Sequence, residues 1–218
     1  MDWNSFVTLL PAFLQGTWMT IRLFLITLLF SLPLGMIITK GRMSKMKWLS
    51  GLVAVFQWVI RGTPLMLQLV IVMYFPSIAL GIKGVNRFTA AGIAFIINYA
   101  AYFSEIYRSG IESIPAGQLE AAKVLGLSKG RTFRRIILPQ TVKRILPAMG
   151  NEFMTLVKDT ALAQVIGNIE LLKVAQSQMN RTTSMVPLLI AGVFYMIMNG
   201  AVQLIMAAWE NRLDYYKG

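Results

Sequence analysis

Two long stretches of this chain contain no charged residue, Leu23–Thr39 near its start and residues 184–209 near its end. A helix rises about 1.5 Å per residue, so about 20 apolar residues cross the hydrocarbon core of a bilayer. Three further apolar segments have comparable length, and the fourth along the chain is the least hydrophobic. We therefore predict an all-α membrane protein with five transmembrane helices. Their predicted positions are residues 13–39, 48–75, 88–112, 147–167 and 184–209.

The composition agrees with this prediction. Hydrophobic residues make up 56% of the 218 residues and charged residues only 14%, whereas soluble domains average about 25% charged residues. The length suits one helical bundle, so we predict a single transmembrane domain over residues 1–218. Cysteine and histidine are both absent, which excludes thiol nucleophiles, disulfides, imidazole acid–base catalysis and the usual zinc sites. We expect no metal site.

The basic residues are concentrated in alternate loops. Of the 21 lysine and arginine residues, four lie in residues 40–47, eight in residues 107–146 and two after residue 209, whereas the opposite loops hold four. Because basic loops remain in the cytoplasm, we predict an N-terminus outside the cell and a C-terminus in the cytoplasm. This topology describes a multi-pass protein of the inner (cytoplasmic) cell membrane. It also accounts for the net charge of +12 without nucleic acid as a partner.

Residues 113–146 form the longest segment outside the predicted spans, and Glu120–Pro139 within it has the pattern of a helical hairpin. Gly126 is placed to end a first helix in the left-handed conformation, and Ser128 to cap a second. We expect Pro139 to discourage continuation of that second helix. Four apolar residues are expected to give the hairpin a buried side: Ala121, Val124, Leu125 and Leu127.

The spacing within this hairpin resembles the EAA loop of ABC importer permeases. Glu120-Ala121-Ala122 is followed after three residues by Gly126, and after nine more by Ile136-Ile137-Leu138-Pro139. In that family the loop docks on a separate ATPase subunit and transmits ATP-driven motion to the membrane helices. The resemblance implies a cytoplasmic coupling loop between the third and fourth spans. Its implied coupling residues are Glu120, Ala121, Ala122, Gly126 and Leu127.

Other segments resemble the branch of this family that carries polar amino acids. They are Arg61–Leu65, Asn98–Ile106, Ile114–Gln118 and Lys158–Leu162, the last with Ala161 where the family usually has serine. The resemblance implies a permease subunit of a type I importer of polar L-amino acids, embedded in the lipid bilayer. Its implied partners are two cytoplasmic ATPase subunits, a second permease chain that is identical or homologous, an extracytoplasmic solute-binding protein and the amino acid substrate.

The chain has no phosphate-binding loop of the G-x-x-x-x-G-K-[ST] type. We therefore expect ATP and magnesium to be bound by the partner ATPase subunits, with no cofactor and no enzymatic activity in this chain. Two alternatives stay open from the sequence: a permease for another small nutrient, and a secondary transporter or channel unrelated to ATP. The second alternative usually requires inverted repeats, and the sequence has no convincing internal repeat.

Three polar residues of the third predicted span, Asn98, Tyr102 and Glu105, share one helix face because they recur at i, i+4 and i+7. Ionisable groups inside a membrane mark transport paths, so we predict that this face lines the substrate path, with the carboxylate near the ammonium of an amino acid. The alternative is a structural role. In that case Asn98 and Tyr102 hydrogen-bond to neighbouring helices and Glu105 pairs with Arg108.

The second predicted span is interrupted by Arg61-Gly62-Thr63-Pro64. Pro64 removes the hydrogen bond to the carbonyl of Ile60, and backbone broken at membrane depth needs protein or water around it. We predict that Arg61, Thr63 and Gln68 line the substrate path. The alternative is a structural kink in which the guanidinium of Arg61 caps the freed carbonyls or pairs with an acidic residue.

Lys158, Asp159 and Thr160 bring charge to the fourth predicted span. Adjacent residues face different neighbours on a helix, and the sequence leaves open which of Lys158 and Asp159 faces the path. We predict Asp159 and Thr160 as path residues. In the structural alternative for Arg61, its acidic partner is Glu152 or Asp159.

Overall fold

The computed structural model describes residues 3–82 and 84–213, with side chains from residue 8 onward. Lys83 and Lys217, which enter the orientation prediction, lie outside the described residues. Across the described ranges the regular secondary structure is entirely helical. The α-helices are α1 (Trp3–Arg42), α2 (Lys47–Gly62), α3 (Leu65–Leu80), α4 (Arg87–Glu112), α5 (Ala116–Val124), α6 (Lys129–Thr132), α7 (Leu138–Asp159), α8 (Leu171–Thr182) and α9 (Val186–Leu213).

The first helix is longer than the predicted span. α1 contains 40 residues and extends beyond the predicted limits of 13–39 at both ends. It packs along α4, and Gly35 permits a close approach, because a Cβ at this glycine would lie 3.1 Å from Cβ of Phe103. Nearby, the hydroxyl of Thr39 donates a hydrogen bond of 2.9 Å to the carbonyl of Ser104. Small and hydroxylated residues at such contacts hold helices together where lipid removes the hydrophobic driving force.

The second predicted span, residues 48–75, is divided into two helices that meet at an angle of 104°. The break falls at Thr63 and Pro64, as predicted, but it is far sharper than a kink. Pro64 has no N–H with which to continue the hydrogen-bond ladder. The side-chain amide of Gln68 instead donates to the carbonyl of Ile60 (2.8 Å). This side chain satisfies a backbone acceptor that the break would leave unpaired.

The central helix of the bundle is α4, and its limits match the third predicted span. The side chain of Asn86 caps its start by accepting a hydrogen bond of 2.9 Å from the N–H of Phe88. α4 contacts α1, α2, α3 and α7, so it is buried on most sides. Its alanines allow close approach on one part of the surface, while its aromatic rings fill the core. The large buried side chains of this core include Leu23, Phe95, Tyr99, Phe103 and Leu156.

The hairpin after α4 consists of α5 and α6. Gly126 has a φ angle of 69° and ends the first helix in the left-handed conformation, as predicted. The N–H of Leu127 donates to the carbonyl of Ala122 (3.0 Å), which is the bond expected beyond a left-handed helix end. The backbone therefore requires the conformation that glycine adopts most readily at this position.

Three expectations for the hairpin are corrected. Ser128 precedes α6, but its hydroxyl makes no capping hydrogen bond. Helical structure does not end at Pro139, because the π-helical segment Phe133–Ile137 leads directly into α7. Pro139 lies in the first turn of α7, where a missing N–H is tolerated. The expected buried side is absent, since three of its four residues are exposed: Ala121, Val124 and Leu125.

The fourth predicted span, residues 147–167, combines two elements. α7 begins within the predicted hairpin segment and ends at Asp159. A 3₁₀-helix, Thr160–Ile166, follows and ends at Gly167, whose φ angle is 74°. The chain is therefore helical throughout this segment, but the helix type changes immediately after Asp159.

The connection to α8 is anchored by a buried carboxylate. Glu170 is fully buried and accepts hydrogen bonds of 2.7 Å from the N–H groups of Leu172 and Lys173 at the start of α8. The hydroxyl of Tyr195 on α9 donates a third bond of 2.9 Å to the same carboxylate. Burial raises the pKa of Glu170, although these hydrogen bonds oppose that shift.

Within the described part of the chain, two helices are individually long and apolar enough to cross a membrane, Thr8–Arg42 and Val186–Leu213. The bent pair of α2 and α3 makes a third crossing if the two helices form one span. α4 and α7 are more polar because they carry the side chains described below. The all-helical fold with long apolar helices agrees with the sequence prediction, and the count of five spans stays a prediction.

Candidate functional site

Two polar helices, α4 and α7, lie antiparallel at the centre of the bundle. The hydroxyl of Tyr99 contacts Asp159, and the rings of Phe103 and Phe153 meet edge to face at 5.8 Å. Further along, a Cβ at Gly110 would lie within 2.2 Å of the Ile145 side chain. The contacts occur in opposite order along the two helices. Polar residues near the end of α7 therefore lie beside polar residues in the middle of α4.

A cavity of about 480 Å³ lies between α4, α7 and the break after α2. Five residues that the sequence predicted for the path line it: Arg61, Thr63, Asn98, Tyr102 and Asp159. The other lining residues are Gly62, Pro64, Leu65, Tyr99, Glu152, Thr155 and Leu162. The structure thus brings together side chains from three separate segments that sequence analysis could only treat one at a time.

The cavity carries one guanidinium, from Arg61, and two carboxyl groups, from Glu152 and Asp159. Opposite charges in one chamber can bind the ammonium and the carboxylate of an amino acid at the same time. Of the adjacent charged residues on α7, Asp159 contributes to this lining, whereas Lys158 is exposed and lies outside it. The structure therefore places Asp159 on the cavity side.

Three lining residues on these helices were not predicted for the path: Tyr99 on α4, and Glu152 and Thr155 on α7. Glu152 and Thr155 precede Asp159 by seven and four residues, so all three share one face of α7. The same periodicity that grouped Asn98, Tyr102 and Glu105 could have identified them. Tyr99 had no comparable signal, because its hydroxyl bonds Asp159 across a helix interface that the sequence does not specify.

The partner of Arg61 differs from the predicted ones. Its guanidinium lies 4.0 Å from the carboxylate of Glu105 and 5.3 Å from the centre of the Tyr102 ring. Neither Glu152 nor Asp159 forms an ion pair with it at this distance in the described structure. The break, moreover, receives its capping bonds from Gln68 and not from Arg61.

Gln68 and Thr160 lie outside the cavity lining. Gln68 is buried, and besides capping the break it accepts a hydrogen bond of 3.1 Å from the side-chain amide of Asn98. Thr160 is fully buried and donates to the carbonyl of Val157 (2.7 Å). Asn98 therefore links the break to α4 while it also lines the cavity.

A second cavity of about 380 Å³ continues along α4 and α7 toward the hairpin. Glu105 lines it and is bound by Arg108 through both carboxylate oxygens, as the structural alternative for Glu105 anticipated. The lining residues shared with the first cavity are Arg61, Tyr102 and Glu152. Those of the second cavity alone are Glu105, Ile106, Ser109, Gly110, Ser113, Arg144, Ile145 and Ala148.

The hairpin presents an apolar tip to its surroundings. Val124 and Leu125 are 88% and 75% exposed. Among the predicted coupling residues, Glu120, Ala121 and Gly126 are exposed, Leu127 is half-buried and Ala122 is buried against the rest of the chain. Large exposed apolar side chains beside charged residues are typical of a surface that contacts another protein.

An amide pair that sequence analysis did not identify fixes the hairpin to α7. The side chains of Gln118 and Gln140 donate to each other's oxygens at 3.2 and 2.6 Å. The amide of Gln140 also donates to the carbonyl of Ile136 (2.8 Å). This pair joins α5 to the helix that carries Glu152 and Asp159.

The charged groups do not form a metal site in the part of the chain that the structure describes. No cluster of three or more acidic, histidine or cysteine side chains with suitable geometry occurs there.

Comparison with known proteins identifies the family. Residues 31–215 match the family described as binding-protein-dependent transport system inner membrane component. The chain belongs to this family. The match confirms the resemblance seen in the hairpin motif, and it favours the importer over a secondary transporter or channel.

The permease is similar over nearly its whole length to curated family members. It is 34% identical to the arginine transport system permease protein ArtQ of Bacillus subtilis (strain 168), covering 98% of this chain and 97% of the relative. It is 37% identical to the L-cystine transport system permease protein TcyB of the same organism, covering 94% and 88%. A solved amino acid ABC transporter with histidines aligns at a TM-score of 0.88 and 34% identity, covering 97% and 99%.

Proposed function

We propose that this chain is the permease subunit of an ATP-driven importer of polar L-amino acids, and that the first cavity holds the solute in transit. The observation that supports this proposal most strongly is the placement of Arg61, Glu152 and Asp159 around one chamber between α4, α7 and the helix break. An α-amino acid presents opposite charges to such a chamber. The relatives named for arginine and L-cystine transport support the same solute class.

The charges of the chamber favour a particular orientation of the solute. The guanidinium of Arg61 binds the α-carboxylate, because planar fork-like donors match carboxylate geometry. One of the two carboxyl groups, on Glu152 or Asp159, binds the α-ammonium. The other remains for a cationic or hydrogen-bond-donating side chain of the solute.

ATP hydrolysis takes place in separate subunits under this proposal. Two cytoplasmic ATPase subunits bind ATP and magnesium, and each permease docks on one of them through the hairpin tip around Val124 and Leu125. An extracytoplasmic binding protein delivers the amino acid to the opposite side of the membrane. A second permease chain, identical or homologous, completes the complex. The family description, which names binding-protein dependence and the inner membrane, supports this assembly.

The proposed topology has five spans, with the N-terminus outside and the hairpin in the cytoplasm. α2 and α3 act together as the second span, and α4 and α7 cross at the centre, shielded by the more apolar helices. The chain has no cysteine, so single cysteines report sidedness directly. Cysteines at Ser44 and Lys129 should react with an impermeant thiol reagent only from the cytoplasm, and those at Gly84 and Thr182 only from outside. Labelling of Lys129→Cys from outside would overturn the orientation.

The solute site is tested with a pair of adjacent substitutions. In the reconstituted complex, Asp159→Asn should abolish most ATP-dependent amino acid uptake, because the amide keeps the size of the side chain but removes a charge from the chamber. Lys158→Gln, at the neighbouring exposed position, should retain it. Both complexes should assemble equally and bind the loaded binding protein. Normal uptake by Asp159→Asn would remove the first cavity from the path.

A further inference from the structure

The two cavities lie end to end and meet at one layer of side chains. On α4 the first cavity uses residues 98–102 and the second continues from residue 102 to residue 110. On α7, which runs the opposite way, the first uses residues 152–159 and the second residues 144–152. Tyr102 and Glu152 therefore mark the same level from opposite sides. Any solute that moves from one cavity to the other passes this level.

Arg61 enters this layer from the helix break. Its guanidinium lies over the ring of Tyr102, 5.3 Å from the centroid, and 4.0 Å from Glu105. A cation over an aromatic face is attracted by the ring's electrons, so the two contacts together hold the side chain across the junction. Arg61 lies in the last turn of α2, beside the 104° break between α2 and α3.

Arg61 is the most loosely held partner of Glu105. Arg108 binds both oxygens of that carboxylate, and the amide of Gln57 lies 3.4 Å from one of them. The guanidinium of Arg61 is farther away, at 4.0 Å, and the side chain is 40% exposed. An ion pair of this length and exposure contributes little, whereas a bidentate bond to a free carboxylate is among the stronger polar contacts.

We propose that Arg61 is a carboxylate-selective barrier between the two cavities. It closes the junction by bridging Tyr102 and Glu105, and it leaves Glu105 when the α-carboxylate of an amino acid in the first cavity binds its guanidinium. When Arg61 leaves, the carboxylate of Glu105 is still paired with the guanidinium of Arg108. Arg61 thereby selects solutes that carry a free carboxylate, and the selection does not depend on the solute's side chain. This inference depends on the proposed function, because it takes the first cavity as the solute site.

The barrier is tested by thiol labelling in inside-out vesicles that contain the permease and its ATPase subunits. A cysteine at Ser109 reports on the second cavity and one at Thr155 on the first. The anionic reagent 2-sulfonatoethyl methanethiosulfonate is added from the cytoplasmic side, and labelling of this chain is followed by mass spectrometry. Thr155→Cys should react more slowly than Ser109→Cys, and Arg61→Gln should raise its rate about tenfold, the size expected for loss of a partly desolvated cation–π contact.

A matched control removes the other cation–π contact of the described chain. The guanidinium of Arg22 lies 5.0 Å from the centre of the Phe88 ring, and Arg22 lines neither cavity. Arg22→Gln should leave the labelling of Thr155→Cys unchanged. Since Arg61→Gln removes a positive charge, electrostatic attraction of the anionic reagent cannot explain faster labelling. An unchanged rate in Arg61→Gln would overturn the barrier.

The exchange is tested by direct binding to the permease–ATPase complex without its binding protein. The probe is a radiolabelled mixture of L-amino acids. Glu105→Gln removes the competitor for Arg61, so it should increase the bound label severalfold. Arg61→Gln should decrease it, and the double variant should bind as little as Arg61→Gln alone. An increase caused by Glu105→Gln that persists in the double variant, or no increase at all, would overturn the exchange. Normal uptake by Asp159→Asn would instead defeat the proposed function, so the two failures are distinguishable.

Discussion

The hydroxyl of Tyr99 donates a hydrogen bond of 2.8 Å to the carboxylate of Asp159, which lies 60 residues later in the chain. The ring of Tyr99 is buried and stacks with Phe95 at a centroid distance of 6.2 Å. A buried aromatic ring of this kind has little freedom, so its hydroxyl fixes the position of the carboxylate. Asp159 is thus oriented toward the first cavity by the core and not by its own helix alone.

Removal of this hydroxyl should impair transport without unfolding the permease. Tyr99→Phe leaves the packing intact but deletes a hydrogen bond to a carboxylate, a contact of about 1.5–3 kcal/mol. We expect the uptake rate of the reconstituted complex to fall about tenfold or more, mainly through a higher apparent KM. Tyr107→Phe is the control, because its hydroxyl makes only a 3.5 Å contact with the carbonyl of Leu32. Equal uptake by the two variants would show that Tyr99 has no part in orienting Asp159.

The close contact of α4 and α7 at Gly110 predicts a stability defect. A Cβ there would lie 2.2 Å from Cγ2 of Ile145, and a β-branched side chain has few rotamers with which to yield. Gly110→Ala should therefore destabilise the permease by about 1–3 kcal/mol, the usual cost of overpacking, measured as a lower melting temperature of the purified complex. Gly92→Ala on the same helix has open space around the new Cβ and should not lower it.

A compensating substitution separates overpacking from other causes. Ile145→Ala combined with Gly110→Ala removes the atoms that clash, so the double variant should be more stable than the sum of the two single effects. Simple additivity of the two effects would mean that the contact between these residues is not what limits stability.

The buried carboxyl of Glu170 predicts a pH dependence of stability. Burial raises the pKa of this group above its ordinary value of 4.5. A group whose pKa is raised by folding contributes stability that is fully present below its unfolded pKa and is lost as the pH rises through its folded pKa. The melting temperature of the wild type relative to Glu170→Gln should therefore decrease as the pH rises above 4.5.

An exposed glutamate provides the control for this measurement. Glu120→Gln removes a carboxyl group at an exposed position, so its difference from the wild type should show no such decrease. A wild-type advantage over Glu170→Gln that grows with pH would contradict the expected sign.

Local patterns predicted much of this fold. The positive φ of Gly126, the start and end of α4 and the position of the break at Pro64 all follow from residue chemistry over a few positions. The same patterns failed where the outcome depends on a distant partner. Pro139 did not stop a helix, because a π-helical segment placed it in a first turn, and Val124 and Leu125 gained no burial within the chain.

The candidate site was predicted in part for the same reason. Helical periodicity grouped Asn98 with Tyr102, and the sequence marked Arg61 and Asp159 as charges that need partners. It could not tell that Arg61 lies beside Glu105, nor that Gln68 is used to cap the break. Those contacts depend on the 104° angle between α2 and α3, which no local pattern specifies.

If this chain transmits the power of a separate ATPase to a solute path, the exposed hairpin must make the contact with that ATPase. Gly126 has a φ angle of 69° and lies at the exposed tip beside Val124 and Leu125, so Gly126→Asp adds both backbone strain and a charge at the docking surface. Gly130→Asp is the matched control, because a Cβ there also meets open space and its φ angle is not positive.

The deciding measurement is ATP hydrolysis by reconstituted complexes with and without the loaded binding protein. We predict strong stimulation in the wild type, loss of stimulation in Gly126→Asp with normal membrane insertion, a smaller loss in Glu120→Ala and retained stimulation in Gly130→Asp. Undiminished stimulation in the Gly126→Asp complex would contradict the claim that this hairpin couples the permease to its ATPase.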